Sequence, residues 1–172
     1  MADVFNEQLI KRQPNSKDRL IRIAIIAGVV VVAFITFSIP ALAMFGMIIV
    51  VIAAFLAYIF MGRLKREYEY IFTNGELDID VIYNKSSRKR VFTGMVRDFE
   101  IMAHVEDPSH TNTFSAAEDR LDFSTGIVSE SSYYFLTNYK GKRVAITIEP
   151  NEVMREAIAK VLTRRKFHPK NI

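Results

Sequence analysis

Cysteine is absent from the 172 residues, which excludes a disulfide framework, thiolate metal sites and a cysteine nucleophile. The absence fits any compartment and so places the protein nowhere. Charge is missing in a more informative way: from Ile23 to Gly62, 40 consecutive residues include no Asp, Glu, Lys, Arg or His. A bilayer core roughly 30 Å thick takes about 20 apolar residues per helix. The block is therefore long enough for two crossings, and the sequence does not read as a simple soluble protein. A strong charge excess is lacking too. Lys and Arg number 23 against 19 Asp and Glu, half of the surplus lying in residues 1–22 and half in 63–172. A nucleic-acid binder would carry a far denser basic stripe. Disorder is excluded, because half of the residues are hydrophobic. No P-loop, G-x-G-x-x-G or G-x-S-x-G is present, so none of the motif-based enzyme classes is indicated.

Pro40 divides the uncharged block into Ile23–Ile39 and Ala41–Met61, each apolar on all sides as a lipid-facing helix must be. Proline cannot continue a helical hydrogen-bond ladder, so it suits the turn. Lys17, Arg19 and Arg22 precede the first span, and Arg63, Lys65 and Arg66 follow the second. The positive-inside rule then puts both termini in the cytoplasm, in a multi-pass protein of the cell membrane. The expected division is a cytoplasmic segment over 1–22, a transmembrane hairpin over 23–62 and a cytoplasmic domain over 63–172. Two other readings exist: a signal peptide cleaved after Ala41-Leu42-Ala43, and a buried helix pair in a soluble core. The first would leave a mature chain starting with another long apolar run, and the second asks too much of so small a domain.

In the first 22 residues, Asp3 is placed to cap a short helix with Val4, Phe5 and Leu9 on its apolar face, ending before Pro14. A frayed tail leading into the first span is the other reading. From Glu67 the period becomes two. Tyr68, Tyr70 and Phe72 alternate with Glu67, Glu69 and Ile71; Asn74-Gly75 follows; then Leu77, Ile79 and Val81 alternate with acids. Asn-Gly between alternating segments is a strong hairpin signal, since a type I′ turn needs φ > 0 at both central residues. A second strand pair is expected at Arg88–Thr93 and Val96–Ala103, turning near Gly94. A long loop follows over 104–119, then a short strand at Leu121–Ser124. Another hairpin, Tyr133–Thr137 with Arg143–Ile148, crosses Asn138–Gly141. Pro150 opens a terminal helix whose apolar face holds Val153, Met154, Ala157, Ile158, Val161 and Leu162, with Arg164, Arg165 and Lys166 at its end. The fold class is α+β: a two-helix transmembrane hairpin plus a small antiparallel β-barrel or sandwich, capped by this helix.

The run from Tyr68 to Ile79 (YEYIFTNGELDI) resembles the opening hairpin of bacterial pleckstrin-homology-like domains, which commonly follow a transmembrane hairpin. Tyr134–Tyr139 carries the same Thr-Asn punctuation. With Asp3–Leu9 (DVFNEQL), nearly the whole chain resembles a family of small Gram-positive bacterial membrane proteins of unknown function, DUF6106. The resemblance implies architecture, and its motifs are turns and strands, so it carries over no catalytic residue.

Three chemistries can be imagined. His104 and His110 share a polar stretch with Glu106, Asp107 and Asp119, but their spacing of six, interrupted by Pro108, is not that of a zinc motif. A solvated loop accounts for them, and His168 is expected to be exposed. Asp78 and Asp80, like Asp98 and Glu100, alternate along strands; paired carboxylates can divide acid and base roles, yet such acids usually form a wet face. The sharpest candidate is Lys85, Arg88, Lys89 and Arg90 at a β-turn, with Lys140, Lys142 and Arg143 at another. Basic strand-turn positions hold anionic headgroups in some pleckstrin-homology-like domains, and each is worth about 1 kcal/mol beside an anionic leaflet. A strand edge blunted against aggregation uses the same residues. The expected function is a non-catalytic protein-interaction or scaffold module, with self-association or a protein partner, no cofactor, no metal and no nucleic acid. Sensing of anionic lipid at the inner face is the alternative.

Overall fold

The first described element is a strand. In the computed structural model, which describes residues 5–163 and 166–169, β1 (Phe5–Lys11) pairs antiparallel with β2 (Arg66–Thr73), Phe5 opposite Thr73 and Lys11 opposite Glu67. The helix expected here does not form; Asp3 and Val4 lie outside the described residues. The reason is visible in the side-chain alternation: Asn6, Gln8 and Ile10 turn inward while Phe5, Glu7, Leu9 and Lys11 face out. Ten residues make a marginal helix alone, whereas β2 offers a full row of backbone partners. That partner is some 60 residues away and invisible to local periodicity.

Residues 14–66 and 83–86 make one compact unit, and the described residues of 1–13, 67–82 and 87–172 make another. In the helical unit, α1 (Ser16–Ser38) starts ahead of the uncharged block. Asn15 caps it, its side chain accepting from the backbone within the first turn while Asp18 accepts from the Asn15 amide at 3.0 Å. This reciprocal cap satisfies amides that a bare helix end would leave open. Pro40 opens a single turn, α2 (Pro40–Ala43), and α3 runs from Gly46 to Arg63. The second helix expected over 41–61 is thus interrupted at Met44 and Phe45. Gly46 permits this reversal, since a Cβ there would come within 2.7 Å of the Phe37 ring. Both α1 and α3 are long and apolar enough to cross a membrane.

The other unit holds two sheets. The first has the order β1-β2-β3-β4, with β3 at Glu76–Tyr83 and β4 at Ser87–Met95. Asn74 (φ 49°) and Gly75 (φ 92°) form the expected tight turn between β2 and β3. The second sheet has the order β6-β8-β7-β5-β9: β5 Ile101–His104, β6 Asp119–Asp122, β7 Tyr133–Tyr139, β8 Lys142–Ile148, β9 Phe167–His168. The β7–β8 hairpin turns at Lys140 and Gly141, both at positive φ.

Four expectations are corrected. No hairpin forms about Gly94: β4 runs through it, a 3₁₀ turn at Val96–Asp98 follows, and β5 pairs with β7 instead. The 104–119 stretch contains a 3₁₀ turn at Pro108–His110 and a short helix, α4 (Thr111–Ser115), and is not a plain loop. The second sheet is mixed, since β6 lies parallel to β8 and β9 parallel to β5. There is no closed barrel. The sheets face each other through Phe92, Phe99 and Phe135, the last two rings stacked at 4.0 Å, while β4 and β6 end their sheets as edges.

The terminal helix, α5 (Glu152–Val161), covers part of this core with Met154, Ala157 and Ile158. Its cap is Asn151, accepting from the Met154 amide at 2.8 Å, and Pro150 precedes the cap instead of opening the helix. Val153, assigned to the buried face, is exposed; it stands about 100° around the helix from Met154. Arg164 and Arg165 lie outside the described residues.

Candidate functional site

Where the two sheets fail to close, a cleft of about 420 Å³ opens between the β4 edge and the β6 and β7–β8 region. Leu121, Val144, Phe123 and Val91 give it apolar walls, and Lys89, Lys140 and Lys142 stand around it together with one carboxylate, Asp119. Two local features set the geometry. Between Arg90 and Thr93 the alternation of β4 slips: Arg90 and Thr93 both meet acids of β3 on the outer face, while Phe92 lies in the core. One extra residue, as in a β-bulge, does this. On the opposite side, the Tyr139 hydroxyl donates to the Val91 carbonyl at 3.0 Å and its ring packs on Phe92 at 5.2 Å. That contact brings the Lys140–Lys142 turn to the mouth of the cleft.

The fold divides the basic residues picked out in the sequence. Arg88 pairs with Glu69 at 2.8 Å, and Arg90 bridges Asp78 and Asp80. Arg143 makes a bidentate pair with Glu100, at 2.7 and 2.9 Å to one oxygen. Lys85 sits at positive φ beside Asn84 in the residues grouped with the helices. Lys89, Lys140 and Lys142 have no ion pair among the described residues and share the cleft, Lys140 also lying 5.0 Å from the Tyr139 ring centre. Of the flanking cations, Lys17, Arg19 and Arg22 occupy the first turns of α1, with Arg63, Lys65 and Arg66 at and after the end of α3.

Asp78 and Asp80 are not an acid–base pair, because Arg90 holds both. Its guanidinium is in turn held above its ordinary pKa, first by the Asp80 hydrogen bond. Asp80 is 4% exposed, a carboxylate kept from water by its own counter-ion. Glu69 is as deeply buried and is raised above the ordinary 4.5, first by burial and next by a hydrogen bond with Glu7, against the pull of Arg88.

The histidines do not converge on a metal. His104 is buried, its Nδ1 accepting from the Glu106 amide at 3.2 Å, which leaves Nε2–H to donate to the Ser129 carbonyl at 3.1 Å. Both nitrogens are used, as in a satisfied core histidine. His110 pairs with Asp107 at 2.9 Å, which holds that carboxyl below its ordinary value. His168 is half-buried in β9, its ring 4.2 Å from that of His110, and is not the exposed tail residue expected. No group of three metal-ligating residues occurs among the described residues.

Sequence reasoning missed one polar centre. Glu149, buried after β8, accepts from the Thr125 hydroxyl at 3.0 Å and the Ser132 hydroxyl at 3.2 Å. Its amide donates to the Tyr70 hydroxyl at 3.2 Å, which donates to the Phe123 carbonyl at 2.6 Å. This network ties the 123–132 segment to β2 and β8. Its only signal in the sequence is an acid directly before Pro150, which carries no motif.

A family model described as a bacterial PH-like domain, DUF6106, matches residues 2–168. No curated protein and no solved structure matches the chain.

Proposed function

Since the chain belongs to this family of bacterial PH-like domains, we propose that it is a two-span membrane protein whose PH-like domain is a non-catalytic protein-interaction module on the cytoplasmic face. The observation that carries the reading is the register of β1 and β2. Lys11 lies opposite Glu67, so the chain leaves the sheet for the helices and returns to it at one place. A membrane segment inserted between two paired strands makes an even number of crossings, and α1 and α3 supply two. The cations at the start of α1 and after α3 then favour the cytoplasm for both flanks. On the first sheet Arg88 and Arg90 are paired with Glu69, Asp78 and Asp80, which leaves the cleft lysines for a partner. Lipid headgroups are the second reading, favoured by those same three lysines, each worth about 1 kcal/mol at an anionic surface.

Topology tests the proposal. The chain lacks cysteine, so Gln13→Cys, Ser38→Cys and Ser109→Cys each report without background; all three positions are exposed. An impermeant thiol reagent should label position 38 in intact cells, and positions 13 and 109 only after the cells are opened. Labelling of 38 and 109 from the same side would end the two-span reading. Labelling of 109 in intact cells would move the module to the outer face.

A further inference from the structure

We propose that the cleft beside β4 takes an extended acidic segment of a partner protein, added as a new strand along the outer edge of β4. The proposal rests on the reading of the domain as a protein-interaction module and names the chemistry of its partner.

Three observations converge. First, β4 has a neighbour on one side only. The Tyr139 hydroxyl reaches the Val91 carbonyl from the other side, so that carbonyl points out of the sheet. An incoming strand would find an open edge here, its N–H taking over the Val91 carbonyl from Tyr139. Second, Leu121 and Val144 line the cleft across from this edge. A strand laid along β4 would turn every second side chain toward them, and those side chains must be apolar. Third, Lys89, Lys140 and Lys142 outnumber the one carboxylate lining the cleft, Asp119, and make no ion pair among the described residues, whereas Arg88, Arg90 and Arg143 are each neutralised by a carboxylate. The remaining side chains of the strand would meet ammonium groups, so they should be acidic. Lysine on an edge strand alone would be explained by protection against aggregation. Lys140 and Lys142, however, come from a different hairpin. A phosphate or headgroup is the poorer fit, because the walls are apolar and a carboxylate, Asp119, lines the cleft with the lysines.

The test uses the full chain in neutral detergent micelles. The probe is a fluorescein-labelled eight-residue peptide of alternating Glu and Val, and its control alternates Lys and Val. Anisotropy should show binding of the Glu–Val peptide only. Lys89→Glu/Lys140→Glu/Lys142→Glu should weaken it about tenfold or more, while Arg97→Glu, on the exposed Arg97, should not. If the triple reversal fails to fold, the triple Gln variant serves in its place. Bound peptide should also slow exchange of amides on the free edge of β4, which charge attraction without strand pairing would not do. Equal binding of both peptides, binding that survives loss of the lysines, or unprotected amides at those positions would each overturn the proposal. Protection of the same amides by nanodiscs of anionic lipid, with no peptide binding, would assign the cleft to headgroups instead. The topology result is independent of all these outcomes, so failure of the cleft and failure of the membrane reading are distinguishable.

Discussion

Tyr70→Phe removes one oxygen and nothing else, and the structure says what that oxygen does. Tyr70 is fully buried. Its hydroxyl donates to the Phe123 carbonyl at 2.6 Å and accepts from the Glu149 amide at 3.2 Å. Phenylalanine keeps the ring, so no cavity of consequence opens, but a buried carbonyl and a buried amide both lose their partner. Each such group costs about 1–3 kcal/mol. The two share one network and will not add fully, which leaves a loss of about 2–4 kcal/mol out of a stability of roughly 5–15 kcal/mol. Burial pushes the Tyr70 hydroxyl far above its ordinary pKa, so it stays a neutral donor and the loss should be the same at pH 6 and pH 9. The assay is amide hydrogen exchange of the full chain in micelles. Amides of β2 and β8 that open with the unit should exchange about 30-fold faster or more, with the Glu149 amide among them. Tyr58→Phe, on an exposed position of α3, is the control and should stay within about 0.5 kcal/mol of the parent. If the two variants exchange alike, the hydroxyl is not holding the 123–132 segment and the account of that network is wrong.

The ion pairs of the first sheet give two further expectations. Glu69 is held above its ordinary value of 4.5, so its stabilising contribution is present below that value and is lost as pH rises through the folded pKa. Glu69→Gln should therefore match or exceed the parent in thermal stability at pH 7 and lose that standing near pH 4; a variant that is worse at pH 7 would show that the Arg88 pair outweighs burial. Arg90→Ala strands the buried Asp80 carboxylate and should cost about 2–3 kcal/mol in the same exchange assay, less than the 3–5 of a fully buried pair because Arg90 is half-exposed. Asp80→Asn added to Arg90→Ala should recover part of this, and no recovery would mean the cost lies in packing of the arginine stem.

Both tight turns, at Asn74-Gly75 and Lys140-Gly141, are legible because positive φ restricts the residues that can occupy them. Strand and helix periods recovered β2, β3, β7, β8 and α5 because each buries one face and repeats on its own spacing. Failures came where the partner is distant. Phe5–Lys11 is a strand only because β2 receives it, and β5 pairs with β7, Met102 opposite Phe135, instead of with β4. The basic residues show the same limit: a run of cations marks a candidate region, but only the carboxylates brought opposite decide which of them are neutralised.

The sequence by itself determined the two long apolar helices, the cations at their outer ends, the strand-rich remainder and the family. Each of these is written in composition or in a short period, which act over a turn or a hairpin. Tertiary structure alone decided that the helices interrupt a sheet between β1 and β2, and that the two sheets stay open at β4 and β6. It also decided that Lys89, Lys140 and Lys142 are the cations left to face that opening. Those outcomes depend on which edges, rings and charges the fold brings together, from 10 residues apart for Arg90 and Asp80 to 48 for Tyr139 and Val91, and no local pattern encodes such a meeting.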